Sequence, residues 1–503
     1  MNFRLAHKVL SSSIQALSCL RTILLRSNKF SVSCVHHQKF ENEQRKSVLG
    51  VFTSEDEKYF HKSQQVFILQ PYNMIDGETV KKAKLDESIA LVESIPGWKP
   101  TGNHFVELRS GDINELLGKN TLSQTVTKIN EVPSVSCVFV STKQFSVQHK
   151  AALINASATR YVCDRQELVL YIFYLRAQSK FAQLQVTLAA LPQIQQNIYA
   201  DPYKYMAFKG CSGESFMERI AREFKTKEQK LQRQLKKLKK EREVVSSVRK
   251  SSGVPTVAIV GYTNAGKTSL VQILSRTGRA KPKDELFSTL DVTAHSAVLP
   301  NQLNYVLIDS VGFLSDIPKG LINAFTAIME DMLQADLIIH VRDMSHPDCK
   351  GQLKSVLSFL LSMGLRETLL NNIVEVRNKV DLTDRSLSTF QFDKPTEPKR
   401  PKAESSTKCI IPVVICYTSI TRNLGIDTLL SQVEKQLMRV TNRREVKFDI
   451  PSHGLHLKWL ASECSVQNIQ AVTDHRLCVT VVAVDWKIKK FLSVFPDSKQ
   501  IET

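Results

Sequence analysis

Residues Gly261-Tyr-Thr-Asn-Ala-Gly266-Lys267-Thr268 follow directly on the apolar run 256–260, and a helix-forming segment comes after them. This order of strand, glycine-bounded loop and helix is the setting in which the pattern G-x-x-x-x-G-K-[ST] binds phosphate. The glycines let backbone N–H groups turn toward the phosphates, and the helix N-terminus adds partial positive charge. The spacing and the preceding strand favour this interpretation over an accidental glycine-rich turn. The predicted nucleotide-binding residues of this loop are Gly261, Tyr262, Thr263, Asn264, Ala265, Gly266, Lys267, Thr268 and Ser269.

The side chains of the loop and of a later apolar strand predict a magnesium site. Lys267 is expected to reach the β- and γ-phosphates, and Thr268 to offer its hydroxyl to Mg²⁺. Asp309 ends the apolar run 305–308, where a carboxylate can hold Mg²⁺ through water, and the N–H of Gly312 can meet the γ-phosphate. The predicted metal ligands are Thr268, Thr289 and Asp309, and the predicted catalytic residues are Lys267, Thr289 and Gly312.

A third group of polar residues predicts guanine recognition. Asn378-Lys379-Val380-Asp381 follows the apolar strand 373–377. An aspartate there can accept hydrogen bonds from guanine N1–H and the 2-amino group, and adenine has neither donor. A buried polar site that loses its hydrogen-bond partners can discriminate between two ligands by about 10⁴, so the motif favours GTP over ATP as the substrate. Mg²⁺ is the predicted cofactor. Ser419 is expected to close over the base. The further predicted nucleotide-binding residues are Asp309, Gly312, Asn378, Lys379, Asp381, Ser419 and Ile420.

These ordered motifs at strand ends predict an α/β chain built around a P-loop GTPase domain, with the nucleotide at the carboxyl edge of a mostly parallel sheet. Short apolar runs predict strands at 65–69, 105–108 and 136–140. Apolar residues at helical spacing predict helices at 79–94 and 164–191, the second ending at Pro192. The predicted domains are an N-terminal α/β domain at 46–200, a basic helical and partly coiled-coil segment at 201–250, the GTPase domain at 251–440, and a small α+β appendage at 441–503.

The first 40 residues contain no Asp or Glu and place basic residues between apolar ones. This acid-poor, amphipathic composition is typical of a mitochondrial transit peptide, which we predict for residues 1–45 and exclude from the fold. The protein is therefore expected in the mitochondrial matrix. The longest apolar runs are too short for a membrane span, and ten cysteines without a C-x-x-C pair favour a reduced protein without structural zinc.

The chain is strongly basic, with 68 Lys and Arg against 49 Asp and Glu and a formal net charge of +19. Such a charge favours a polyanionic partner, although it decides little alone. The segment 214–250 has 13 Lys or Arg against 6 Glu, and its leucines recur at helical spacing. It is expected either to contact RNA phosphates or to serve as a solvated helix between two domains.

The segments 287–293, 309–313 and 335–340, together with the dipeptides Asp164-Arg165 and Arg176-Ala177, resemble the HflX branch of the TRAFAC GTPases, in its animal mitochondrial form. The resemblance is specific from about residue 160 to 385. It implies an N-terminal α/β subdomain and a helical hairpin before the GTPase domain. It also implies that the protein binds the large ribosomal subunit and splits ribosomes. The expected partner is the large subunit with its rRNA and not DNA, and the protein is expected to be a monomer.

Three features depart from the pattern of that family. The loop 210–214 matches the Gly-Pro-Gly-Glu loop of the family only in part, which puts the contacts of that loop in doubt. Ile420 stands where alanine usually follows the base-closing serine, and could loosen the purine pocket. The segment 383–408, rich in Pro, Lys and Ser, is expected to be a disordered insertion before a strand at 409–415.

Two classes of function are consistent with these features. The favoured one is a GTP-hydrolysing factor of the mitochondrial ribosome that promotes ribosome dissociation or large-subunit assembly. The alternative is a nucleotide-gated module that binds another protein as a scaffold. Phe313 occupies the position where many GTPases carry a water-orienting glutamine, so we expect hydrolysis to be slow alone and stimulated by the ribosome.

Overall fold

A computed structural model of the chain describes residues 63–73, 77–108, 118–143, 145–157, 159, 161–200, 216–251, 253–275, 293–310, 312–314, 329–383, 387–396, 414–473 and 475–501. The predicted transit peptide, the loop 210–214 and Thr289 lie outside these residues. The described part contains three sheets, and each is flanked by helices.

The first sheet is wholly parallel. Its strands are β1 (Gln64–Asn73), β2 (Trp98–Leu108), β3 (Cys137–Val140) and β4 (Tyr161–Asp164), and its helices are α1 (Glu78–Glu93), α2 (Lys119–Asn130) and α3 (Val147–Ser157). The strands lie in the order β2-β1-β3-β4. All four residues of β3 are buried, as expected for a parallel strand covered on both faces. The three predicted strands and the first predicted helix are confirmed, with β2 starting earlier than expected.

The single helix predicted at 164–191 is wrong, because the chain forms a strand end and two helices there. Asp164 ends β4 and caps α4 (Arg165–Arg176), since its carboxylate accepts a hydrogen bond from the Glu167 N–H at 2.9 Å. Ala177 has extended backbone, and α5 (Lys180–Ala200) begins after it. Pro192 lies inside α5 with its side chain exposed. The proline removes one backbone donor, but the helix continues beyond it, and Ile194 in the next turn is buried in the core.

The basic segment is one long helix, α6 (Phe216–Ser251), which packs against α5. Leu231 and Leu235 are buried, as the predicted seam requires. Arg242 lies over the ring of Phe181 on α5, 4.3 Å from the ring centroid. The pair α5 and α6 thus forms a helical hairpin that leads directly into the next sheet.

The second sheet carries the phosphate loop. Its strands are β5 (Thr256–Gly261), β6 (Thr293–Val298), β7 (Asn304–Asp309), β8 (Leu337–Asp343), β9 (Ile373–Asn378) and β10 (Val414–Tyr417). The helices of this unit are α7 (Lys267–Ser275), α8 (Glu330–Leu333), α9 (Cys349–Ser362), α10 (Glu367–Leu370) and α11 (Ile426–Val440). The order is β10-β9-β8-β5-β7-β6, parallel except for β6. The carboxyl ends of β5, β7, β8 and β9 therefore meet at one edge, where a nucleotide binds in such sheets.

Part of the predicted disordered insertion is packed against this sheet. Thr396 exchanges two backbone hydrogen bonds of 2.9 Å with Ile415 of β10. The ring of Phe390 lies 5.2 Å from that of Tyr417. The expectation of disorder is therefore wrong for residues 387–396, since these aromatic side chains bury apolar surface despite the polar composition around them. The strand predicted at 409–415 is observed from Val414 onward, and residues 409–413 lie outside the described part.

The third sheet is antiparallel and lies near the C-terminus. It consists of β11 (Arg443–Pro451), β12 (Ser465–Thr473), β13 (Arg476–Val484) and β14 (Lys499–Ile501), in the order β12-β13-β11-β14. The helices α12 (His456–Glu463) and α13 (Asp485–Val494) cover one face, where the rings of Phe448 and Phe491 meet at 4.8 Å. Across the described residues of the whole chain, no helix is long and apolar enough to cross a membrane.

Candidate nucleotide-binding site

The phosphate loop joins β5 to α7 and has room only for glycine at its two ends. A Cβ atom on Gly261 would collide with the carbonyl oxygen of Val341 in β8. A Cβ atom on Gly266 would collide with the side-chain amide of Asn378, and Gly266 also has φ of +95°, which side chains disfavour. The neighbouring strands β8 and β9 therefore lie too close to the loop for a side chain at either glycine.

Lys267, the first residue of α7, is buried against the phosphate loop. Its ammonium donates a hydrogen bond to the Tyr262 carbonyl oxygen at 2.7 Å. Burial lowers the pKa of Lys267 to about 8, although the carboxylate of Asp309 opposes the shift. A buried ammonium that has lost its water is stabilised by an anion, so the site suits a phosphate group.

Two predicted metal ligands lie side by side. Thr268 Oγ1, in the first turn of α7, donates to Asp309 Oδ2 at the end of β7 over 3.1 Å. A hydroxyl and a carboxylate are hard oxygen donors of the kind that Mg²⁺ prefers. These residues therefore fit Mg²⁺, which when bound would neutralise phosphate charge. Thr289, the third predicted ligand, lies outside the described residues.

Gly312 and Phe313 lie directly over the phosphate loop. The Phe313 N–H donates to the Gly261 carbonyl at 3.0 Å, and the Thr263 N–H donates to the Phe313 carbonyl at 2.7 Å. A Cβ atom on Gly312 would lie 2.8 Å from Thr263 Cγ2 and 3.0 Å from Lys267 Nζ, so a side chain here would displace the side chains of the phosphate loop. The Phe313 ring is buried against Phe359 of α9, with centroids 5.2 Å apart. An apolar, inward-facing ring has no group that could orient an attacking water.

Asn378 links the base-recognition segment to the phosphate loop. Its Nδ2 donates to the Ala265 carbonyl at 2.9 Å, and its Oδ1 accepts from the Ile420 N–H at 3.3 Å. Ile420 packs against the core of this sheet and approaches Gly266. The isoleucine side chain, which is larger than the alanine usual at this position, therefore fills space beside the phosphate loop.

Asp381 is held as an ionised acceptor. Partial burial would raise its pKa, but hydrogen bonds from Ser419 and Thr421 and the nearby Arg422 lower the pKa below its ordinary value. The Thr421 hydroxyl donates to Asp381 Oδ2 at 3.2 Å. Next to it, Lys379 has a left-handed backbone with φ of +59° and forms an ion pair of 2.8 Å with Asp343.

The structure thus brings the predicted residues of the phosphate loop, Asp309, Gly312, Asn378, Lys379, Asp381, Ser419 and Ile420 to one edge of the second sheet. Two further residues of the site were not predicted: Asp343, which forms an ion pair with Lys379, and Thr421, which contacts Asp381. Asp343 carried a usable signal, since it follows an apolar strand in the same way as Asp309. Glu87 of α1 was not predicted either; its carboxylate accepts a hydrogen bond from the Tyr262 hydroxyl at 2.6 Å.

Comparison with known proteins places this site in a family. Residues 256–379 match the family described as 50S ribosome-binding GTPase, and residues 176–249 match the GTP-binding GTPase middle region. The Homo sapiens protein named "Putative GTP-binding protein 6" is 34% identical over 416 residues, which cover 82% of this chain and 76% of that protein. GTPase HflX of Magnetococcus marinus is 30% identical over 411 residues, 79% of this chain and 88% of its own.

A solved structure of a GTP-binding protein from Sulfolobus solfataricus in complex with GDP matches 75% of this chain and 99% of its own, with 21% identity and a TM-score of 0.40. Both sequence relatives align with this chain over more than two thirds of their own length. The chain is a P-loop protein with the α/β architecture expected for such GTPases, and it belongs to the HflX family of GTP-binding proteins.

Proposed function

We propose that this GTPase is a mitochondrial ribosome factor that binds the large ribosomal subunit in its GTP state and promotes ribosome dissociation or subunit assembly. The observation that carries the proposal is a basic helix joined directly to the phosphate-loop strand. Only four residues separate Ser251, the last residue of α6, from Thr256, the first of β5. The descriptions of its relatives, which name 50S ribosome binding and HflX, support the same partner.

The nucleotide in this proposal is GTP with Mg²⁺. Asp381 supplies an ionised acceptor for the two guanine donors, and Lys267 supplies charge for the phosphates. Thr268 and Asp309 are the described residues that would hold Mg²⁺, with Thr289 as the further predicted ligand. Gly312 is expected to donate its N–H to the γ-phosphate.

The outer face of α6 is the proposed RNA contact. Arg233, Lys236, Lys237 and Lys240 are exposed, and their spacing places them opposite the buried Leu231 and Leu235. Lysine and arginine side chains that neutralise RNA phosphates release counterions, so such binding weakens steeply with salt. Two other basic residues of this helix are less available, because Arg242 lies over the Phe181 ring and Lys227 is partly buried. The four exposed residues are called the basic face below.

Hydrolysis is proposed to be slow until the ribosome is bound. The Phe313 ring faces the protein interior and cannot orient water. The group that completes the reaction must therefore come from another part of the chain or from the partner. The acid-poor segment 1–45 supports import into the mitochondrial matrix, where such a partner would be found.

Sedimentation with purified mitochondrial ribosomal subunits tests the proposal. The protein is expected to co-sediment with large subunits in a non-hydrolysable GTP analogue, and much less in GDP. The same subunits should raise GTP turnover, and Lys267→Ala should lose both effects. Equal sedimentation in both nucleotides, together with unchanged turnover, would overturn the proposal. Capture of a non-ribosomal protein only in the GTP state would instead support a scaffold.

A further inference from the structure

The phosphate loop is tied to the first sheet by a short side-chain hydrogen bond. Tyr262 lies in the loop, and its hydroxyl donates to Glu87 Oε1 on α1 over 2.6 Å. The other oxygen of Glu87 forms an ion pair of 3.0 Å with Arg165 at the start of α4. Both charged side chains are largely buried, at 14% and 7% exposure. A hydrogen bond to a shielded carboxylate is stronger than one between neutral groups.

Glu87 is held in place by a buried network of the first sheet. Arg165 follows Asp164, whose carboxylate accepts from the Phe145 N–H at 3.0 Å and pairs with Lys150 at 2.9 Å. Lys150 also pairs with Glu167 of α4 at 2.8 Å. These contacts fix the start of α4, where Arg165 lies. Because Arg165 pairs with Glu87, a shift of β4 or α4 within the first sheet is expected to move the Glu87 side chain.

On its other side, Tyr262 touches the residue that would hold the phosphates. Its carbonyl oxygen accepts the hydrogen bond from the Lys267 ammonium. A cavity of about 110 Å³ lies beside the tyrosine, lined by Ala83 and Glu87 of α1 and by Gln352 of α9. The helices α1 and α9 are therefore not closely packed there, and the tyrosine hydroxyl bridges from the loop to α1.

We propose that Glu87 is a positioning residue for the phosphate loop, and that through the Tyr262 hydroxyl it couples the first sheet to nucleotide binding. The path runs from Arg165 through Glu87 and Tyr262 to Lys267. Coupling between two sites is reciprocal. A partner that moves α1 changes nucleotide affinity, and nucleotide binding changes the position of α1. This inference goes beyond the proposed function, since it requires only the protein and a nucleotide.

A double-mutant cycle in the full-length protein tests the coupling. The variants are Tyr262→Phe, Glu87→Ala and the two combined, and the measurements are the dissociation rates of fluorescent GDP and of a fluorescent non-hydrolysable GTP analogue. Each single change is expected to alter these rates by about three- to tenfold, which corresponds to about 1.4 kcal/mol per tenfold. Because both changes remove the same hydrogen bond, the dissociation rates of the double variant should equal those of the single variant with the larger effect. Additive effects, or rates unchanged in both single variants, would overturn the proposal.

Two further variants separate positioning from general stability. Glu87→Gln keeps an oxygen acceptor for the tyrosine hydroxyl but loses the ion pair with Arg165 that holds the side chain, so its dissociation rates should lie between those of the parent and of Glu87→Ala. Glu78→Ala removes an exposed carboxylate of the same helix, which pairs with Lys81 at 2.9 Å, and should leave the rates unchanged.

If Glu87 were merely structural, Glu87→Ala would change the rates equally in the parent protein and in the Tyr262→Phe variant. Should Glu87→Ala not fold, the comparison of Tyr262→Phe with Glu87→Gln decides the question.

Discussion

The side chain of Asn378 donates a hydrogen bond to the Ala265 carbonyl oxygen at 2.9 Å, so the base-recognition segment is fastened to the phosphate loop. The same side chain accepts hydrogen bonds of 3.3 Å from the Thr418 hydroxyl and from the Ile420 N–H. One buried amide at the end of β9 therefore joins the loops that follow β5 and β10. Any nucleotide in the site would meet its phosphate and base contacts as one preformed surface, which lowers the cost of ordering on binding.

Asp381→Asn is expected to change the preferred base from guanine to xanthine. The amide offers a donor where the carboxylate offered an acceptor, and xanthine carries an oxygen in place of the 2-amino group of guanine. We expect GTP affinity to fall by about 10² to 10⁴ and XTP affinity to exceed it. Competition between fluorescent GDP and XDP measures this change. Asp393→Asn, an exposed carboxylate in the packed segment 387–396, is the control and should bind GTP as the parent does. Unaltered GTP preference in Asp381→Asn would contradict the assignment.

Gly266→Ala is expected to abolish nucleotide binding. The added methyl group would collide with the Asn378 amide, in a backbone conformation with φ of +95°. Gly364→Ala is the matched control, because Gly364 also has a positive φ, of +70°, but has open space around it. It should cost about 1 kcal/mol of unfolding free energy from backbone strain alone and leave GDP affinity intact. Calorimetric titration with GDP, beside thermal unfolding, separates the two effects. Equal GDP affinities in the two variants would show that the collision is relieved.

Lys150→Met is expected to destabilise the first sheet strongly. Burial would lower the pKa of Lys150, but the carboxylates of Glu167 and Asp164 raise it above its ordinary value, so the lysine is charged in the fold. Removing it leaves two buried carboxylates without their cation, at a cost of about 3 to 5 kcal/mol. Lys128→Met removes an exposed ion pair of 2.8 Å with Glu131 and should cost about 1 kcal/mol or less. Chemical denaturation of both variants checks the difference, and similar losses would mean that water reaches the Lys150 cluster.

The sequence predicted which polar residues gather at one edge of the second sheet because its signals are local. Lys267, Asp309 and Asn378 each lie within a few residues of the end of an apolar strand, so each could be placed near that strand end from the sequence. The parallel order of the strands then brings these ends together. The prediction required only that these strands be neighbours in one parallel sheet, which the order and spacing of the motifs along the chain indicated.

The remaining features depend on contacts between distant parts of the chain. Tyr262 and Glu87 are 175 positions apart, and neither residue belongs to a pattern that would pair them. The break between α4 and α5 follows from capping by Asp164 and the extended backbone at Ala177, which helical periodicity does not reveal. The packing of Phe390 on Tyr417 was likewise hidden by the polar residues around it. Such contacts are decided by tertiary packing and not by local preference.

Reversal of the basic face is expected to weaken large-subunit binding without changing nucleotide affinity. The variant replaces Arg233, Lys236, Lys237 and Lys240 by Glu, and all four are exposed on the helix that leads to β5. Each phosphate contact contributes about 0.7 to 0.9 to the slope of log affinity against log salt, so the slope should become shallower by about three units. The control reverses Lys458, Lys489, Lys490 and Lys499, four exposed lysines of the C-terminal sheet and its helices, and makes the same change in net charge. Co-sedimentation over a series of salt concentrations separates a local contact from general attraction. If both variants lose affinity equally, only the overall charge matters, and if neither does, α6 is a solvated connection between the first two sheets.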